Sequence, residues 1–419
     1  MKASVFFALI IVTSQQLFAQ VYVEKQTRHR FAQLNLGVDV QSSIGGFANY
    51  FDQNGELEAH ELDPFISPRI LIGGQHFWGH ADFLLSIPLF GSKQEFKGQQ
   101  YEYYPGVETA LKYYPWRMTD GKLRPYAGAS LLSQRYRQTN TLVDEGAGHL
   151  EPVLSIPILT GVTYSTGNHL LEAGVAWNTN SANMYYIDQV SNSEMSLPYA
   201  RVHVSYRYVL ETTLSAEPEW ESGRTALVTD ALAEKKFLNG IYIGAGLSSL
   251  FWNGNSSYVK ENRPFMQGLI NSLSADVTAG YYFHKPDLHA GLVYRTFNAK
   301  PSAFGIEQTL NRHSVGVEVV KFLFDYHGFV PFAGPLASYE WLSFEELEGG
   351  VNSMSITDEG INYGLTFGWD IRPNRIQSFL LRTNLRWYPS LNIDTGSGTI
   401  DFSGIEFNFI QLVVFPGRL

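Results

Sequence analysis

His203 and Ser205 stand two residues apart, a spacing that could pair a base with a hydroxyl nucleophile. An imidazole activates a serine when a carboxylate orients the ring. No Asn-containing continuation follows Ser205, so hydrogen bonding inside a folded core is the simpler role for the pair. His60, His76, His80 and His149 are scattered, without a third partner at metal-ligand spacing. Asp52, Glu56, Glu58, Glu61 and Asp63, with Glu345, Glu346 and Glu348, could offer oxygen ligands to a divalent cation. Their spacing does not follow a calcium-binding loop, and a solvated acidic loop accounts for them. Gly244-Ala-Gly246 and Gly364-Leu-Thr-Phe-Gly368 fall inside strand-like runs with no helix behind them, which fails the requirement of a phosphate-binding loop. The chemistry-bearing residues therefore call for no metal and no cofactor, and the reading is non-enzymatic, with His203 and Ser205 as weak catalytic candidates.

The segments carrying these residues alternate with period two. In Arg201–Arg207, Val202, Val204 and Tyr206 oppose Arg201, His203, Ser205 and Arg207. In 361–370, Ile361, Tyr363, Leu365, Phe367 and Trp369 oppose Asn362, Gly364, Thr366, Gly368 and Asp370. Successive side chains of a strand face opposite sides, so each segment has an apolar, aromatic face and a small or polar one. Placing the aromatic face against lipid and the polar face inside is the economical arrangement for a membrane barrel. The aromatic clusters Tyr101–Tyr104, Tyr113-Tyr114-Pro-Trp116 and Trp387-Tyr388 then read as interface girdles.

Strands are expected near 31–45, 66–77, 80–90, 103–116, 123–137, 152–166, 169–179 and 197–211. A second set is expected near 239–253, 273–284, 287–298, 312–325, 328–343, 360–372, 378–389 and 400–415. The halves echo each other: Gly106-Val-Glu108 is answered by Gly316-Val-Glu318, and Pro125-Tyr-Ala-Gly128 by Pro331-Phe-Ala-Gly334. Short turns follow the even strands and longer polar loops the odd ones, the pattern of periplasmic turns and external loops. The organisation read from this is a signal peptide at 1–19, a first eight-strand repeat at 20–211, a partly helical periplasmic linker at 212–238 and a second repeat at 239–419.

Lys2, the apolar run Ser4–Thr13 and the small residue Ala19 make a secretory signal, too short for a spanning helix. Of 419 residues, 44% are apolar, 14% aromatic and 17% charged, with no cysteine, so a disulfide scaffold and a thiolate zinc site are excluded. Thirty basic against forty acidic residues give a net charge of −10, which argues against nucleic acid as a partner.

Each half resembles the small eight-stranded outer-membrane barrels of OmpA, OmpW and opacity type. The likeness rests on the eight-strand rhythm, on Arg124-Pro-Tyr-Ala-Gly-Ala129, and on Gly404-Ile-Glu-Phe407-Asn-Phe409, which is similar to the terminal signal read by the barrel assembly machinery. The chain departs from the usual terminal aromatic, continuing through Phe415-Pro-Gly-Arg-Leu419. The resemblance implies an all-β transmembrane antiparallel barrel protein of a Gram-negative outer membrane. Its expected partners are membrane lipid, the assembly machinery during biogenesis and other envelope proteins. His203 and Ser205 are also similar to the His-x-Ser pair of outer-membrane lipid A deacylases.

Sixteen strands could close as one barrel or two. Asp39, Asp82, Glu108 and Glu172 face Arg69, Lys112, Arg201 and Arg207 in the first half, and Asp276, Glu318 and Asp370 face Arg295, Arg382 and Arg386 in the second. Buried charges must be paired, and each half balances its own. A connector of about 25 residues, with helix-prone Ala226–Lys236, also suits two cylinders. The reading leans to two tandem barrels acting through loops and linker as a binding or structural subunit of the envelope. A porin-like channel requires the single wide barrel, and a lipid-modifying enzyme rests on His203 and Ser205 alone.

Overall fold

The computed structural model describes residues 32–52, 56–142, 147–179, 182–210, 224–252, 256–266, 271–326, 328–372 and 377–418. The signal segment at 1–19 and linker positions 212–223 lie outside the described residues.

The first eight strands are β1 (Ala32–Ile44), β2 (Ile66–His76), β3 (Ala81–Pro88), β4 (Gln99–Tyr113), β5 (Lys122–Asn140), β6 (Ile158–Thr166), β7 (His169–Trp177) and β8 (Ala200–Leu210). Each pairs antiparallel with its neighbours, and β8 returns to β1 with Val38 opposite Tyr206. The second eight are β9 (Gly240–Trp252), β10 (Asn271–Phe283), β11 (Leu288–Ala299), β12 (Ile306–Phe322), β13 (Phe329–Glu348), β14 (Val351–Ile371), β15 (Phe379–Tyr388) and β16 (Gly404–Val414), closed by β16 on β9. There are two eight-stranded barrels, each sealed within its own half. In hydrocarbon an unpaired strand edge costs several kcal/mol per group, and closure removes both edges. In the chain between the two barrels runs α1 (Arg224–Glu234).

The alternation sets the orientation. Val202, Val204 and Tyr206, and Ile361, Tyr363, Leu365 and Phe367, stand on the exposed outer faces. Arg201, Ser205, Arg207, Thr366 and Asp370 are buried inside.

Three expectations need correction. The strand placed at 152–166 is two pieces, Glu151–Ser155 and Ile158–Thr166, because Pro157 between them has no N–H for the ladder. The stretch between 343 and 360, expected as a long loop, is paired: β13 and β14 run on as a ribbon to a tight turn at Gly349-Gly350, both at positive φ (56° and 80°). The aromatic clusters are not all girdles. Tyr113, Trp116 and Trp387 are exposed, but Tyr101, Tyr103, Tyr114 and Tyr388 are buried, since neighbours in a strand cannot share a face.

The external connections of the first barrel form a four-stranded sheet in the order Ala182–Tyr186, Asn192–Ser196, Phe47–Phe51 and Leu57–Glu61. It covers a core of Ala48, Leu62, Tyr101, Tyr103, Tyr136 and Met195 above the lumen. Over the second barrel, α2 (Ser257–Asn262) and the hairpin Asn392–Asp394 with Thr399–Asp401 close on Leu250, Tyr258, Phe297, Phe344, Ile393 and Phe402.

The barrels touch at both rims. On the periplasmic side the Phe77 ring lies 5.4 Å from that of Phe329, and Phe83 lies 5.3 Å from Trp369. Phe77 and Trp78 occupy positive φ (53° and 58°) in the four-residue turn between β2 and β3, a conformation that Gly and Asn adopt more readily. Their rings cover the second barrel, packing with Ile371, Trp369 and Leu381. At the external rim the Phe304 N–H donates to the Ala147 carbonyl at 2.7 Å, and Gln189 Nε2 donates to the Phe304 carbonyl at 3.1 Å.

Candidate functional site

All fourteen interior residues assigned from alternation lie inside a lumen. In the first barrel β8 carries two inward arginines six residues apart. Arg207 reaches Asp82 on β3 at 2.6 Å and Glu172 on β7 at 2.8 Å, and Lys112 from β4 also pairs with Glu172. Arg201 forks onto Glu108 at 2.9 and 3.0 Å and onto Gln41 at 2.8 Å, and Gln41 in turn donates to Asp39 at 2.8 Å. Among the described residues Arg69 has no carboxylate in hydrogen-bond contact. It donates to Ser86 Oγ at 2.6 Å and to the carbonyls of Ser86 and Gly106.

In the second barrel Arg386 joins Asp276 to Glu318, and Arg382 forks onto Asp370 at 2.8 and 2.9 Å while meeting His289 at 2.9 Å. Arg295 pairs with Glu406 at 2.6 Å. Sequence reasoning missed half of this network. Arg312 bridges Glu340 at 2.8 Å and Glu406 at 3.1 Å, and Arg372 reaches Asp287 at 3.4 Å. In the first barrel it missed Arg124, which lies over the Tyr114 ring at 4.4 Å and donates to the Gly79 carbonyl. Tyr388 sits between Arg295 and Arg312, its ring 5.0 and 4.4 Å from their guanidinium carbons. Parity alone would have placed Glu340, flanked by outward Tyr339 and Trp341, and Glu406, flanked by Ile405 and Phe407.

Aromatic packing closes both lumens further. Below the charge layer of the second barrel lie Tyr242, Tyr282, Phe322, Phe332 and Phe415. In the first, Leu71, Leu84, Tyr114, Tyr126 and Leu159 form an apolar cluster within the lumen. A residual space of about 30 Å³ beside Asp39, Glu108, Arg201 and His203 has room for only a few waters.

The catalytic candidates lie inside this packing. His203 Nδ1 is 3.4 Å from Asp39 Oδ1, and its Nε2 is 3.0 Å from the Tyr126 hydroxyl. Both ring nitrogens face other groups, so neither is placed to take the Ser205 proton. Ser205 is buried opposite Asp39 and Glu172 in the two ladders. The acidic residues are dispersed. Glu56, Glu58, Glu61, Asp63, Glu345 and Glu348 are exposed and Asp52 is half-buried. Glu346 departs from the expected solvated loop: it is fully buried, accepting from Tyr258 at 3.0 Å, Arg263 at 2.9 Å and Gln308 at 2.8 Å. Among the described residues no three His or acidic side chains converge on a metal position. His60, on the outer sheet, stacks on Phe96 with ring centroids 4.1 Å apart, and desolvation there pushes its pKa down.

No family model matches the chain, and no curated protein matches it. Among solved structures it is similar to Neisserial surface protein A, at 16% identity and a TM-score of 0.31, over 42% of this chain and 97% of that one. It is also similar to Ail of Yersinia pestis, at 12% identity and 0.27, over 42% and 96%. Over 93% of its length it aligns with an outer membrane channel of Pseudomonas putida F1, at 9% identity and 0.22, covering 97% of that chain. At such identities and scores these likenesses add nothing to what strand pairing already establishes. Closed antiparallel strands with an apolar outer girdle and a charge-paired interior make this an integral β-barrel protein of a bacterial outer membrane.

Proposed function

We propose that the protein is a non-enzymatic subunit of the outer membrane that works through its folded external face and its periplasmic connector. The observation that carries this reading is the filling of both lumens. Arg69, Arg207, Arg312 and Arg386 are fully buried among carboxylates, carbonyls and aromatic rings at mid-barrel, where a solute pathway would have to pass. A porin-like role needs a wide, wet barrel, and eight strands enclose only enough room for side chains. The loops, by contrast, are built as sheets with apolar cores of their own, which gives a partner a firm surface.

The test is single-channel conductance of the refolded protein in a planar bilayer, with insertion confirmed independently. A silent bilayer is expected. Large, reproducible steps would overturn the reading in favour of a channel. The enzymatic alternative predicts lipid hydrolysis lost in His203→Ala, and with both imidazole nitrogens engaged elsewhere no hydrolysis is expected from the wild type.

A further inference from the structure

Between the two barrels, at membrane depth, lies a cleft of about 330 Å³. One wall is the outer face of β2 to β5, including Ile72, Leu85 and Ala129; the other is the outer face of β14 to β16, including Trp369, Leu381 and Phe407. Along β14 the outward side chains pass from Tyr363, 67% exposed, to Ile371, 8% exposed, as the strand descends beside the first barrel. Leu85 and Phe409, on strand faces that elsewhere meet lipid, are 8% and 7% exposed. The cleft is closed below by the Phe77 and Trp78 cluster and bridged above by the Phe304 contacts. Its open side continues the lipid-facing girdle.

We propose that this cleft is a binding site for one acyl chain of a bilayer phospholipid. A buried water needs two to four polar partners, and apart from the His76 imidazole and the Thr109 hydroxyl the outward walls are hydrocarbon. The Thr383 hydroxyl already donates to the Phe409 carbonyl at 2.9 Å, and Ser130, on the inward face of β5, donates to Glu108. The rim contacts hold the barrels apart at this level, so the walls cannot collapse onto each other. What remains is a dry slot opening sideways into hydrocarbon, and only a chain matches it.

The test uses the full-length protein in phosphatidylcholine vesicles whose acyl chains are brominated, with the Trp369 emission taken as wild type minus Trp369→Phe. Bromine quenches indole at contact, so Trp369 is expected to lose most of its emission. Ala129→Phe fills the cleft and is expected to restore that emission, whereas Ala127→Phe, one pleat away on the exposed outer face of β5, is expected to leave the quenching intact. Heat-modifiable migration checks that each variant is folded, and Ala129→Leu gives a graded version where the larger ring is not accepted. An unquenched Trp369 in the wild type would overturn the proposal, because the barrels would then seal on each other. Equal behaviour of the Ala129 and Ala127 variants would also overturn it, because Trp369 would then sense only bulk lipid.

Discussion

Arg382 and Asp370 show what the interior charges do and do not contribute. A buried ion pair gains little over well-packed hydrocarbon, but removing one partner strands the other. Arg382→Met, which leaves Asp370 unpaired at 0% exposure, is expected to cost about 3–5 kcal/mol in urea unfolding of the refolded protein. The double variant Arg382→Met, Asp370→Leu should recover most of that loss, and no recovery would assign the residues a role beyond mutual neutralisation. At this scale the sequence was legible in one respect. Parity decides whether a side chain points inward, so Asp39, Arg207 and Asp370 could be named without a structure. Partners could not, since Arg207 meets Asp82 and Glu172 across the lumen from strands far apart in the chain. Arg312 and Arg372 escape the pattern because each lies at the edge of its alternating run.

At the scale of elements, a residue row crosses four strands of each barrel. Tyr126, Gly161, Gly174 and His203 are successive ladder partners, and so are Tyr242, Gly280, Gly291 and Glu318. In both rows the tyrosine hydroxyl lies where the β-carbon of either glycine would be. The glycines let an aromatic ring lie flat across the inner wall. Gly174→Ala is expected to push Tyr126 off His203 and to destabilise the barrel by about 1–3 kcal/mol, as overpacking does, read from its urea midpoint. Glycine inside these strands was visible in the sequence, but pairing of one glycine with another depends on register and was not. The Phe77-Trp78 turn carries a second expectation. Replacing the pair by Asn-Gly suits the positive φ of both positions, so the turn should form at least as well. The contact with Phe329 should be lost, seen as faster proteolysis of the periplasmic rim without loss of heat-modifiability. The ribbon beyond 343 was misread as loop because its acidic residues suggested solvent, and polar residues are equally at home on a strand that has left the membrane.

For the molecule as a whole, each seam is local to its half: β1 with β8, and β9 with β16. Residues 20–212 alone are expected to fold into a heat-modifiable, protease-resistant barrel, and failure to fold would mean that closure of the first half depends on the second. The external rim contact should respond to acid. His149, two residues from Ala147, is buried, and its pKa is pushed down to about 4, chiefly by desolvation and further by Arg137. A histidine held neutral by the fold costs nothing above pH 6.5. Below that value the unfolded form takes up a proton that the folded form refuses, so stability falls between about pH 6.5 and 4. The protection factor of the Phe304 amide, its exchange rate divided into the intrinsic rate at the same pH, should fall as pH is lowered over that range in the wild type and not in His149→Leu. The two-barrel organisation was half legible, because charge balance within each repeat pointed to it, while the rim contacts joining distant loops left no mark in the pattern of alternation.

The β13–β14 ribbon has a further consequence, in reach. Strands of 20 and 21 residues, at about 3.3 Å per residue and a tilt near 40°, rise roughly 50 Å along the membrane normal. The hydrocarbon-facing band takes about 25 Å of that height. The Gly349-Gly350 tip therefore stands well clear of the headgroups, and anything approaching the cell meets it before it meets the mouth of either barrel.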